Sequence, residues 1–339
     1  MMRRAGFRLV LAAITLVVAE VVFRAARWSD YDEQVTKRID GPLLELAPNK
    51  PWFIEARKNA AWEQVLQHSG TEVRIVHHTD AAGWRVQPAV QTTPSTKRVL
   101  CLGDAYLFGM AVADGETFPC RLQQTLRAHN VDVVTLNRAV PGYNTSQQWE
   151  RLQQLFDADR PDIVVLGYVV NDAEPVSNFP LPPDVMYRYC RSWLWDACVP
   201  FVNEIGRLLV TDQPLSERRI LSLKADLNKS FAYASPGWRE SRAALQAMHA
   251  FLSARNVPLV VFVLPAFTEP FDDSYGYCLL HERVAEWCRE LGFAARDLLP
   301  LFFGEDHREL WVPGDSHPGP VAHRRMAEAA AIQLLPLLQ

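Results

Sequence analysis

The chain has 339 residues, with 35 Lys+Arg against 39 Asp+Glu, a formal net charge of −4, 49% hydrophobic residues and 22% charged ones. That balance fits a globular protein with a sizeable core. A nucleic-acid partner calls for a basic stripe, and no long basic run is present, so that class is set aside.

The N-terminus carries Arg3, Arg4 and Arg8 ahead of an apolar segment, Leu9 to Phe23, interrupted only by Glu20. At roughly 1.5 Å per residue the segment covers a little over 20 Å as a helix, short of a hydrocarbon core about 30 Å thick. This suits a signal peptide or signal anchor over residues 1–27. No clean A-x-A site follows, which favours an uncleaved anchor. The arginines predict a cytoplasmic N-terminus and a membrane-anchored chain facing the periplasm or cell exterior.

Residues 28–95 carry Pro48, Pro51, Pro88 and Pro94, several charges and little periodicity. They read as an N-terminal extension packed on the main domain, with a strand and a turn in "TEVRIVHHTDAAGWRV". His77, His78 and Asp80 raise the question of a metal. Adjacent strand residues point to opposite faces, however, so the two histidines make a poor chelate and a structural role is expected.

From residue 96 to 339 an alternating pattern emerges. Val99–Leu102 reads as a strand. Thr117 can cap a helix with Pro119 in its first turn and Leu122 and Leu126 on one face. Val131–Leu136 reads as a strand, followed by a helix from about Ser146 that presents Trp149, Leu152 and Phe156. Ile163–Tyr168 is a third strand. A helix presenting Leu245, Met248 and Leu252 precedes a fourth, "PLVVFVLP". Val284, Trp287, Cys288 and Leu291 form one stripe, and a last helix runs from about Val321 to Leu335. Strands apolar throughout, separated by amphipathic helices, predict a parallel sheet covered on both faces: an α/β fold, a three-layer α/β/α sandwich. Residues 173 to about 236, rich in prolines and aromatics, break the rhythm. They read as an insertion at the C-terminal edge of the sheet, the side on which such folds bind ligands.

Export permits disulfides. Of the six cysteines, Cys190 and Cys198 form the best pair. Cys278 and Cys288 share a predicted helix that holds them about 15 Å apart, too far to bond. Cys101 lies in a predicted central strand and reads as a free core thiol.

Four segments carry the chemistry, each at a predicted strand-to-helix junction: "GDAYLFG" (103–109), "NRAVPGYNTSQQ" (137–148), "GYVVND" (167–172) and "GDSHPGPVAHRRMAEA" (314–329). Together and in this order they resemble the signature blocks of the SGNH, or GDSL-type, hydrolases, most closely the membrane-anchored bacterial branch. The resemblance covers residues 96–339 apart from the insertion. It implies a flavodoxin-like sandwich and acyl-ester chemistry without a metal or organic cofactor. Position by position it assigns the nucleophile to Ala105 and the general base to His317, with Asp315 orienting that base. The oxyanion donors it implies are the N–H groups of Ala105 and Gly142 and the side-chain amide of Asn171. Family members often carry the acid three positions before the histidine; here it stands two before.

Acyl transfer needs a nucleophile, a base within reach and donors aimed at the developing oxyanion. Ala105 departs from that list, because a methyl group cannot attack a carbonyl. Loss of the serine in a serine protease costs about 10⁶ in kcat. Tyr106 and Asp104 flank the position but point elsewhere, and no G-x-S-x-G elbow occurs in the chain. Two expectations follow. The first is an exported, anchored SGNH-type esterase or O-acyltransferase for acyl esters of a carbohydrate, lipid or cell-envelope polymer, inactive or nearly so because Ala105 is a substitution in an otherwise competent site. The second is a natural pseudoenzyme that binds a ligand or partner through the same cleft.

Overall fold

The computed structural model describes residues 43–47, 50–68, 71–174, 235–312, 315 and 317–339, together with isolated positions 15 and 18. Apart from those two positions, they belong to one compact unit made of residues 42–176 and 222–339. The predicted Cys190–Cys198 pair and nearly all of the N-terminal apolar segment lie outside the described residues.

The unit is organised by a five-stranded sheet. In chain order its strands are β5 (Lys97–Leu102), β6 (Val133–Asn137), β7 (Ile163–Tyr168), β8 (Leu259–Val263) and β9 (Ala294–Asp297). Their spatial order is β6-β5-β7-β8-β9, and every neighbouring pair is parallel. All six residues of β7 and all five of β8 are buried, as expected of strands covered on both faces. The chain leaves β5 toward β6 and then returns to β7 on the other side of β5. That reversal creates the crevice at the strands' C-terminal ends where doubly wound folds bind ligands.

Six helices flank the sheet among the described residues: α1 (Ala105–Phe108), α2 (Phe118–Ala128), α3 (Thr145–Asp159), α4 (Pro236–Ser253), α5 (Cys278–Glu290) and α6 (Pro320–Leu338). Their starts follow from local chemistry. The Thr117 hydroxyl accepts the N–H of Cys120, with Pro119 in the first turn. Asn144 and Gln147 form a reciprocal capping box at α3, satisfying donors that the helix leaves without partners. Helix α2 packs against α6 and α3 against α4, while Trp238 of α4 meets Trp287 of α5 edge-on, 6.3 Å between centroids. The result is the α/β/α sandwich with one continuous core. The second strand begins at Val133 rather than Val131, because Asn130 turns the chain through a left-handed conformation (φ 61°) just ahead of it.

The residues before the sheet are more ordered than their composition suggests. They form two antiparallel hairpins, β1 (Leu44–Ala47) with β2 (Phe53–Ala56) and β3 (Ala61–His68) with β4 (Thr71–His78). Both lie against the sandwich. The Gln147 amide donates to the Trp52 carbonyl at 2.7 Å, and the Arg151 guanidinium stacks on the rings of Trp52 and Trp84, 4.5 and 4.6 Å from their centroids. His77 is buried and His78 exposed, so the two do face opposite ways. Cys101, Cys120, Cys278 and Cys288 are free thiols, the first fully buried in β5.

Candidate active site

The loop after β5 is built around Asp104. This buried residue caps α1, its carboxylate accepting the Tyr106 N–H at 2.9 Å. Burial pushes the Asp104 carboxyl above the usual range, against the pull of the Tyr106 N–H, His317, the Asn171 side chain and, more weakly, the Ala105 N–H. Helix α1 is a single turn, ended by Gly109 in the left-handed conformation. It seats Leu107 tightly against β7: a Cβ on Gly167 would lie 2.1 Å from Leu107 Cδ1. Glycine at 167 is what lets α1, and with it Ala105, sit down on the sheet.

The loop after β6 is tied to the first, since the Val140 N–H donates to the Gly103 carbonyl at 3.2 Å. Gly142 follows Pro141 with φ 84°, a backbone state that disfavours a side chain. The loop after β7 hangs on Asp172, a buried carboxylate that accepts the Val169 N–H (2.7 Å), the Thr145 hydroxyl (2.7 Å) and the Gln148 amide (3.2 Å). Burial, and then the neighbouring Asp104, drive the Asp172 carboxyl well above the usual carboxylate range. The adjacent Asn171 hydrogen-bonds Asp104 through its side chain, while its own Oδ1 is buried with no partner among the described residues.

The fourth segment leads into α6. A β-bridge between Trp311 and Pro318, with the Val312 N–H on the His317 carbonyl (2.8 Å) and the Gly319 N–H on the Leu310 carbonyl (2.7 Å), closes a tight loop. Within it His317 Nδ1 donates to the Asp315 carboxylate and also lies 3.1 Å from the Asp315 carbonyl oxygen. That assignment leaves Nε2 with a lone pair, the state a base requires. The His317 ring meets the Tyr106 ring edge-on, 5.7 Å between centroids, so the histidine stands over the turn that carries Ala105.

The four segments therefore meet at one end of the sheet. His317 and Asp315 are paired, Tyr106 brings them beside the Ala105 turn, and Asn171 joins the turn through Asp104. Three features were not visible in the sequence reading. One is the buried Asp172 anchor. The second is another histidine–carboxylate pair, His281 Nδ1 with Asp297 Oδ1 at 2.6 Å. The third is Gln64, whose amide donates to the other oxygen of Asp315 from β3. Nothing in the sequence around Gln64, in a region of little periodicity, signals this partner.

A model of the GDSL-like lipase/acylhydrolase family matches residues 101–325. An arylesterase of Vibrio mimicus is 31% identical over 78 residues, which are 23% of this chain and 39% of that protein, so the chain spans well under half the length of this relative. Among solved structures, TesA is 14% identical with a TM-score of 0.45, covering 71% of this chain and 99% of TesA. A lipase/acylhydrolase from Enterococcus faecalis is 15% identical with a TM-score of 0.42, covering 70% of this chain and 95% of its own.

Proposed function

The chain belongs to the GDSL-like lipase/acylhydrolase family, and from that premise we propose that it holds an acyl-ester site whose base is His317, oriented by Asp315, and whose nucleophile position is occupied by the inert methyl of Ala105. The observation that carries this reading is the His317–Asp315 pair standing beside the Ala105 turn. With a hydroxyl at position 105, the oxygen would attack the ester carbonyl while His317 Nε2 took its proton. The imidazolium, stabilised by Asp315, would then protonate the departing alkoxide, and water would repeat the sequence on the acyl-enzyme. The N–H groups of residue 105 and Gly142 and the amide of Asn171 are the proposed oxyanion donors. As the chain stands, only binding and oxyanion stabilisation remain, good for about 10³–10⁴ over water.

The likeness to an arylesterase supports an ester substrate. A carbohydrate, lipid or envelope-polymer ester, reached from an anchor at residues 1–27 on the outer side of a membrane, is the setting we favour. Hydrolysis and O-acyl transfer share every step up to the acyl-enzyme.

A second reading, recognition without turnover, is favoured by two observations. Position 105 is a methyl, and the Asp104 carboxylate draws on the Ala105 N–H, a group an oxyanion would need. The two are separated by assaying p-nitrophenyl acetate before and after Ala105→Ser. A gain of several orders of magnitude supports the esterase site; no gain on a panel of acyl esters supports the binding site.

A further inference from the structure

Asp315 has two carboxylate oxygens, and His317 uses one. The other is taken by a residue far away in sequence. Gln64, buried on β3, donates its amide Nε2–H to Asp315 Oδ2, and its Oε1 lies 2.9 Å from His77 Nε2 on β4. His77 is fully buried and stacked on Trp62, 5.0 Å between centroids. Its Nδ1 meets Arg85 Nη1. Arg85 is itself locked: Nε donates to Asp114 at 2.7 Å, Nη2 to the Val112 carbonyl at 2.8 Å and Nη1 to the Gly109 carbonyl at 3.2 Å.

The polarity of this chain of bonds has one solution. Arginine can only donate. His77 Nδ1 must therefore accept, which makes His77 neutral with its proton on Nε2. That proton points at Gln64 Oε1, which commits the amide nitrogen to Asp315 Oδ2. A flipped amide would set two donors face to face at His77 and two acceptors face to face at Asp315. Asp315, held at Oδ2, then presents Oδ1 to His317 Nδ1–H and leaves the Nε2 lone pair uncommitted. Burial, reinforced by the Arg85 charge, depresses the His77 imidazole to about 3, which agrees with a ring that stays neutral.

We propose that Gln64, His77 and Arg85 are positioning residues for the His317–Asp315 pair: a relay from the N-terminal hairpin that fixes the carboxylate, and through it the histidine tautomer. All three precede residue 101, where the family match begins, so the β3–β4 hairpin and the segment after it complete the site from outside the matched segment. The proposal rests on His317 serving as the base. Among the described residues, the other ionisable groups that meet His317 are Tyr106 and Asp104 from the β5 turn and His323 from α6. None of them can stand in for the Gln64 donor at Asp315 Oδ2, since Gln64 occupies it.

The test reads tautomers in the protein as it exists. With ¹⁵N-labelled histidine at neutral pH, NMR is expected to show His77 as the Nε2–H tautomer and His317 as the Nδ1–H tautomer. Gln64→Met, close in shape but without an amide, is expected to leave the fold intact and give His317 a mixed tautomer. In the Ala105→Ser background it should lower kcat about tenfold with KM changed less than twofold. Gln64→Glu, which removes the donor and sets a second carboxylate against Asp315, should be at least as harmful. His77 found as the Nδ1–H tautomer, which needs no variant, would overturn the relay. So would a His317 tautomer unchanged in folded Gln64→Met. Absence of hydrolysis in every serine variant would instead contradict the esterase reading, while the tautomers in the unaltered chain still decide the relay.

Discussion

Among the described residues His317, His281 and His78 each pair Nδ1 closely with an aspartate, and the first two differ in what their second nitrogen does. In both, Nδ1 donates to an aspartate near the C-terminal end of the sheet: His317 to Asp315, His281 to Asp297. His281 is closed on its other side, where Nε2 meets the Tyr275 hydroxyl at 3.1 Å and that hydroxyl accepts the Ala266 N–H at 2.8 Å. The His281 side chain is 3% exposed. The His317 side chain is 22% exposed, and its Nε2 has no hydrogen bond from the described residues. One ring has spent both nitrogens on holding a loop to a helix. The other has spent one and keeps the second free of any hydrogen bond from the described residues, in a ring that stands edge-on to Tyr106 of the β5 turn. Pairing with a carboxylate thus does not by itself distinguish a base; under the proposed function the unspent nitrogen of His317 does.

The largest expected effect would invert this comparison if it failed. In the Ala105→Ser background, His317→Ala should remove essentially all of the gained esterase activity, about 10³-fold or more, because a serine without its base is a poor nucleophile. His281→Ala in the same background should leave kcat/KM within a few-fold, read from steady-state hydrolysis. It should cost the fold about 2–4 kcal/mol instead, since buried Tyr275 and half-buried Asp297 lose their common partner. Chemical denaturation of the two variants gives that difference. Equal losses of activity from both histidines would erase the distinction.

A third histidine sharpens it. His323 on α6 is fully buried, and neither of its ring nitrogens has a hydrogen-bond partner among the described residues. Burial, and then the His317 charge, depress it to about 3. In the unfolded chain the same group titrates near 6.5. Between these values the unfolded state binds the extra proton, so the stability contribution is complete above pH 6.5 and is lost as pH falls toward about 3. At pH 5 this amounts to about 2 kcal/mol. His323→Phe should flatten the acid limb of the stability profile by that amount while leaving stability at pH 8 nearly unchanged. A profile of the same slope in chain and variant would contradict the neutral buried ring.

The smallest effect concerns the seat of α1. Gly167→Ala should cost about 1–3 kcal/mol, because the new methyl meets Leu107 at a distance no relaxed contact allows. The same change should raise KM or lower kcat in the serine variant by lifting residue 105 away from His317. Melting curves paired with kinetics separate the two consequences.

These contrasts also mark what the sequence can and cannot say. The strands Val99–Leu102 and Ile163–Tyr168 were legible because buried parallel strands are apolar at every position, and Thr117 and Pro119 marked a helix start by chemistry local to four residues. His317 and Asp315 were legible because they stand two positions apart in a recognisable block. Gln64 was not: its partner lies 251 positions away, and a polar residue on an amphipathic strand looks the same whether it faces water or a carboxylate. The alternation of strand faces predicts that His77 and His78 point opposite ways, as the burial of one and exposure of the other show, but it carries no information about Arg85 behind His77 or Gln64 in front. His281 and Asp297 escaped for a similar reason, one on a helix stripe and the other at a strand end, joined only by the packing of α5 on β9.

The proposed site works only if position 105 faces a working base. The most direct measurement is covalent labelling of Ala105→Ser with a fluorophosphonate, followed by mass spectrometry of the modified peptide. Attack by the new hydroxyl on phosphorus with loss of fluoride should yield one phosphonyl group per chain, at position 105. The reaction should vanish in Ala105→Ser/His317→Ala and be absent from the unaltered chain. A serine at position 105 that stays unlabelled while the protein is folded, or that labels equally well without His317, would contradict it.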